Sequence, residues 1–64
     1  MVTLIQTKQG QVYLSNGEPA EIKSAIDRGE SIKVWWFALH GQRYSEQLLI
    51  SLEEVAFFRT ESDD

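Results

Sequence analysis

The chain has no cysteine and a single histidine, His40. No disulfide can staple it, no thiolate can hold a metal, and no multi-histidine site can form within one copy. Proline occurs once and glycine four times in 64 residues, and no linker, repeat or low-complexity segment stands out. Basic residues are also few: six lysines and arginines face ten acids, for a net charge of −4. Lys8, Lys23, Arg28, Lys33, Arg43 and Arg59 are scattered singly. That argues against a general binder of nucleic acid or of anionic membranes, which needs clustered cations. No apolar run approaches the roughly 18 residues of a membrane span. The start, MVTLIQTKQG, has no basic run ahead of an apolar one, so no targeting segment is expected. These absences together predict a cytoplasmic protein with no membrane attachment.

Length is short as well. A domain of this size buries only about 60% of the surface its unfolded chain exposes, and one core then supplies about 3–5 kcal/mol. With disulfides and thiolate metal sites excluded, the cheapest reinforcement left is association with a second copy or with a partner; the alternative is a well-idealised monomer.

Strand patterns make up most of what is present. VTLIQT, residues 2–7, and VYLS, residues 12–15, flank KQGQ; Gly10 supplies the positive φ of a tight turn, and a hairpin follows. Asn16-Gly17 marks a turn. Pro19 suits the first turn of a helix, Glu18 and Glu21 favour its positive end, and Gly29 can close it. Ile22, Ala25 and Ile26 form one narrow apolar stripe. The helix is therefore predicted over residues 19–28, lying on a sheet, because ten residues do not hold a helix alone in water.

The stretch SIKVWWFALHGQRYSEQLLISL, Ser31 to Leu52, reads as a second hairpin around Gly41. A two-residue turn with Gly at its first central position places Leu39 opposite Tyr44, Trp35 opposite Leu48 and Trp36 opposite Gln47. A three-residue loop shifts that register and exchanges the partners. SLEE, with Ser51 and Glu54 at capping-box spacing, reads as a single turn. Val55 to Thr60 reads as a last strand, and residues 61–64 as an acidic disordered tail. The prediction is one small domain over residues 1–60, α+β and mainly β. Its order is β-β-α-β-β-β, in a strongly twisted antiparallel sheet or half-open barrel with one short helix.

Adjacent side chains on a strand point to opposite faces, so Trp35 and Trp36 cannot both enter one core. On the expected register, Trp35, Phe37, Leu39, Tyr44, Leu48 and Ile50 share the face richer in large apolar groups, the better candidate to lie under Ile22 and Ile26. The other face carries Trp36 with Val34 and Leu49, rimmed by Arg43, Gln47 and His40, and the last strand adds Phe58. An antiparallel sheet with one wet side alternates apolar and polar residues; this one does not, and one helix cannot cover both sides. A tryptophan in a polar ring has the composition of an interface hot spot. Either the sheet closes on itself, with Trp36 and Phe58 in a second small cluster under a loop, or that face packs on another molecule; on the second reading Trp36, Val34, Gln47, Leu49, Arg43, His40 and Phe58 are the candidate interface residues.

No catalytic set emerges. His40 adjoins a turn and has no base partner at a telling spacing. The serines lack a nucleophile-elbow signature, single glycines make no phosphate-cradling loop, and no cofactor or metal is implied. Five strands and a helix are similar in outline to small Sm-like β-barrels, where the helix comes first, and nothing is carried over from that likeness. The expectation is a non-enzymatic protein-interaction module, a homo-oligomer (a dimer or small ring), acting as a regulator or inhibitor by binding another protein. The alternatives are a nucleotide or single-strand nucleic-acid binder that stacks bases on Tyr13, Trp35, Trp36 or Phe58, and an acidic mimic of nucleic acid.

Overall fold

A computed structural model describes residues 1–61. Turn chemistry sets its frame. At both hairpins the chain reverses through a three-residue loop ending in glycine. Thr7 N–H donates to Gln11 C=O (2.9 Å) and Gly10 N–H to Thr7 C=O (3.0 Å); Ala38 N–H donates to Gln42 C=O (2.8 Å) and Gly41 N–H to Ala38 C=O (2.9 Å). Gly41, at φ +77°, occupies the left-handed position that ends such a loop. The first loop joins β1 (Val2–Thr7) to β2 (Val12–Asn16), and the second joins β3 (Ile32–Phe37) to β4 (Arg43–Leu48).

Between the hairpins lies α1, Pro19–Asp27, with Pro at its first turn. Its end is a Schellman motif. Glu30 N–H reaches Ala25 C=O and Gly29 N–H reaches Ile26 C=O, each at 3.0 Å, with Gly29 at φ +78°, so the last carbonyls find donors. After β4 a single 3-10 turn, Leu52–Glu54, leads into β5, Val55–Glu61. The five strands form one antiparallel sheet in the order β4-β3-β2-β1-β5. The expected class, element order and helix are all present. Glu61, expected in the tail, belongs to β5 and pairs with Val2; the rest of the expected tail, residues 62–64, lies outside the described residues.

Two expectations need correction. The three-residue loop sets β3 against β4 as Trp35↔Ser45, Trp36↔Tyr44 and Phe37↔Arg43, three positions away from the two-residue register. An odd shift turns every β4 side chain to the opposite face. The face under the helix is also the reverse of the one favoured from sequence. Ile32 and Val34 pack with Ile22 and Ile26, joined by Ile5 and Val55, whereas Phe37 and Leu39 are exposed. Ile and Val are compact and stiff and fit beneath a short helix, and the bulky aromatics of β3 fall on the other side or at the rim.

Three polar residues, Thr3, Thr7 and Ser15, are buried on the helix side, and each hydroxyl is used. Thr3 Oγ1 donates to Gly17 C=O (2.8 Å), Ser15 Oγ donates to Lys33 C=O (2.8 Å), and Thr7 Oγ1 accepts from Gln11 N–H (3.1 Å). The Ser15 bond ties β2 to β3 where the ladder consists of Leu14↔Trp35.

Candidate interaction surface

The register explains how the apolar residues divide. In β1, Thr3, Ile5 and Thr7 point to the core, and Val2, Leu4 and Gln6 point away. The helix and the 3-10 turn supply Ile22, Ile26 and Leu52 to the core side; the opposite face, with Val12, Phe37 and Phe57 exposed, is the open one.

Three rows cross that open face. The middle row runs Arg59, Leu4, Leu14, Trp35, Ser45 from β5 to β4. On one side of it lie Phe57, Gln6, Val12, Phe37 and Arg43, the Val12–Phe37 step continuing the Leu14↔Trp35 register. On the other side lie Glu61, Val2, Asn16, Lys33 and Gln47 by the same continuation. Two rows are therefore mainly apolar, and the third is mainly polar. Phe37 is 58% exposed, Phe57 42% and Val12 41%; Leu4, Leu14 and Trp35 are half-buried. Gln6 separates Phe57 from Val12, and the remaining members of the two rows are lateral neighbours; a cluster of exposed apolar residues marks a binding surface more often than scattered residues do.

Arg43, Arg59 and Glu61 stand at row ends, and Lys33 stands one strand in from an end. The Arg43 guanidinium lies 4.7 Å from the centre of the Trp35 ring, in cation–π range. Arg59 donates to Glu61 Oε1 through Nε (2.9 Å) and Nη2 (2.6 Å). With Lys33 the face holds three cations and one described acid. The remaining described acids belong to the helix and its flanks, the 3-10 turn and the core side of β4.

The candidate interface residues do not form one surface. Val34 is fully buried in the core. Trp36 is half-buried at the edge of the core face, edge-on to Tyr13 (5.8 Å) and stacked on Tyr44 (5.6 Å). Phe58 packs against the core cluster. Arg43 and Gln47, expected to ring Trp36, lie on the opposite face, because the register differs. His40 is exposed in the loop between β3 and β4, and Leu49, just past β4, is 67% exposed. The structure thus gives Trp36 two tyrosines of its own chain, and gives Arg43 to Trp35.

Sequence reasoning passed over Leu4, Val12, Leu14 and Phe57 as surface residues. A signal existed: pairing VTLIQT with VYLS around Gly10 puts Leu4 opposite Leu14, and Thr3 opposite Ser15. Which pair faces the core is a question that hydropathy alone answers wrongly.

Two shallow depressions flank the sheet. One, of about 360 Å³, is lined by Ile22 and Ala25 of α1 together with Lys33, Trp35, Arg43 and Ser45, and the other, of about 350 Å³, lies beside Tyr13, Ile50, Glu53 and Glu54. Among the described residues no three His, Cys, Asp or Glu side chains gather as metal ligands. No described helix is long and apolar enough to cross a membrane. Comparison with protein-family models, curated proteins and solved structures finds no match.

Proposed function

We propose that this protein is a non-enzymatic interaction module that works by docking the open sheet face onto another protein. One observation carries the reading: Leu4, Val12, Leu14, Trp35, Phe37 and Phe57 gather, around Gln6, on the sheet face opposite the buried core. Aromatic residues at the centre and arginines at the rim match the composition of protein interfaces. The location differs from the Trp36 surface expected from sequence, but the underlying reason is unchanged: the sheet carries more apolar area than one helix shelters. A role as a small cytoplasmic regulator or inhibitor is part of the same proposal.

The test compares the native chain with a Phe37→Ser/Phe57→Ser variant in affinity capture from its source cells, alongside light scattering of each. Retention of a protein, or self-association, by the native chain and its loss in the variant is expected. A native chain that stays monomeric at millimolar concentration and retains no protein that the variant loses would overturn the reading.

A further inference from the structure

We infer that the occupant of the open face is an acidic segment of the partner protein, with carboxylates set among apolar residues. The inference rests on the protein-docking reading of that face and adds the partner's chemistry.

Charge is unevenly spread over the chain. The sequence carries ten acids and six bases, yet the open face reverses that balance, with Lys33, Arg43 and Arg59 against Glu61. Arg59 is satisfied by Glu61 through two contacts. Among the described residues, Lys33 and Arg43 form no ion pair. Two cations without a counter-charge, beside the exposed Phe37 and Val12, complement a partner that is anionic and partly apolar.

The same two cations share a place. Both line the depression of about 360 Å³ whose wall includes Ile22 and Ala25 of α1. The Arg43 guanidinium lies over the Trp35 ring, so its charge stands beside a position two residues from Lys33, about 7 Å along β3. Alternate side chains of an extended segment have that spacing, and one short acidic stretch reaches both cations. Asn16 and Ser45 border the depression as well and add an amide and a hydroxyl donor for a carboxylate. Glu21, the one acid on the wall, pairs with neither cation and leaves the depression net positive. Phe37 and Val12 stand one row from Trp35 and Leu14, where apolar neighbours of the carboxylates would come to rest.

A nucleic acid suits this face less well. A chain of net charge −4 repels a phosphate backbone that runs beyond the patch. The exposed rings of Phe37 and Phe57 stand three strands apart in the sheet, about 14 Å, and form no continuous stacking platform.

The test uses fluorescein-labelled peptide mixtures of about ten residues, long enough to cross a face roughly 20 Å long. One mixture combines Leu and Phe with Glu, the second replaces Glu by Gln, and the third replaces it by Lys. Each is titrated with the full chain and followed by fluorescence anisotropy. The Glu mixture is expected to bind about five-fold tighter than the Gln mixture or better, with the Lys mixture weakest. Raising sodium chloride from about 0.05 to about 0.5 M is expected to erase most of that preference. A Lys33→Glu/Arg43→Glu chain, checked for native circular dichroism, is expected to reverse the ranking and favour Lys. The salt series needs no variant and decides the matter alone if the double variant does not fold. Equal binding of the Glu and Gln mixtures, a Glu preference that survives salt or charge reversal, or binding of no mixture overturns the inference. Equal binding that Phe37→Ser/Phe57→Ser abolishes leaves the protein-docking reading standing. An oligothymidine that binds tighter than the Glu mixture and displaces it gives the face to nucleic acid and overturns both.

Discussion

Val34→Ala and Phe37→Ala test which side of β3 is the core. Val34 is 0% exposed and Phe37 58%, so the two positions report on opposite faces of one strand. Truncating Val34 removes two methyl groups, each worth about 0.8 kcal/mol of transfer free energy. If the site does not collapse, a cavity of roughly 50 Å³ adds about 1.2 kcal/mol. The expected loss is about 2–3 kcal/mol, a large share of the stability of so small a domain, and a fall in Tm of roughly 10–20 °C. Phe37→Ala is expected to cost under about 1 kcal/mol in dilute solution, because more than half of the ring is already in water. The assay is urea denaturation followed by circular dichroism, with equal m values required before midpoints are compared. If Val34→Ala leaves too little native protein, Ile5→Val, expected to cost about 0.5–1.5 kcal/mol, probes the same core. A Val34 or Ile5 variant as stable as the native chain, beside a Phe37 variant weakened by 2 kcal/mol or more at every concentration (about thirty-fold in the folding constant), would refute the assignment of faces.

Other expectations follow from single contacts. Ser15→Ala removes the donor to the part-buried Lys33 C=O, for a loss of about 0.5–1.5 kcal/mol in chemical denaturation. A Cβ added at Gly29 or Gly41 meets no atom within 4 Å, so Gly29→Ala and Gly41→Ala are expected to lose only the left-handed backbone term, about 1–2 kcal/mol each, read as shifts in urea midpoint. Tyr44→Ala removes the ring stacked on Trp36; a red shift in tryptophan emission and a loss of about 0.5–1.5 kcal/mol beyond the area term are expected. Glu30→Gln breaks an exposed pair with Arg28 and is expected to leave stability unchanged within error.

Much of the fold was legible because local chemistry and patterning agreed. Pro19, the Ile22–Ile26 stripe and Gly29 each specify the same helix independently, and consistency of that kind identifies an element. The hairpin register was harder. Leu-His-Gly-Gln accommodates either a two-residue turn with Gly first or a three-residue loop with Gly last, and the two differ by an odd number of residues. The first hairpin held a clue: Lys8-Gln9-Gly10-Gln11 and Leu39-His40-Gly41-Gln42 share the Gly-Gln ending, and both form the three-residue loop. The face was harder still. Thr3, Thr7 and Ser15 line the core, and Leu4, Val12 and Leu14 do not, against the usual order of hydropathy. Threonine and serine are small and satisfy their hydroxyls on nearby carbonyls, and burial on the helix side goes to side chains that fit. Hydropathy ranks side chains by transfer energy and carries no information about fit.

The same inversion links stability to function. A sheet that spends threonine and serine on its core while leaving Val12, Phe37 and Phe57 exposed does not maximise the stability of the isolated chain. Covering the open face would bury the residues that transfer most favourably out of water. A ligand that binds only the folded form stabilises it by an amount that grows with its concentration, and for the open face that ligand is an acidic, partly apolar segment. Apparent Tm is therefore expected to rise with added Glu-containing peptide for the native chain, to stay unmoved in Lys33→Glu/Arg43→Glu, and to rise by a similar amount in the helix-side core variants. A native Tm independent of that peptide up to the millimolar range would remove the acidic partner from this account.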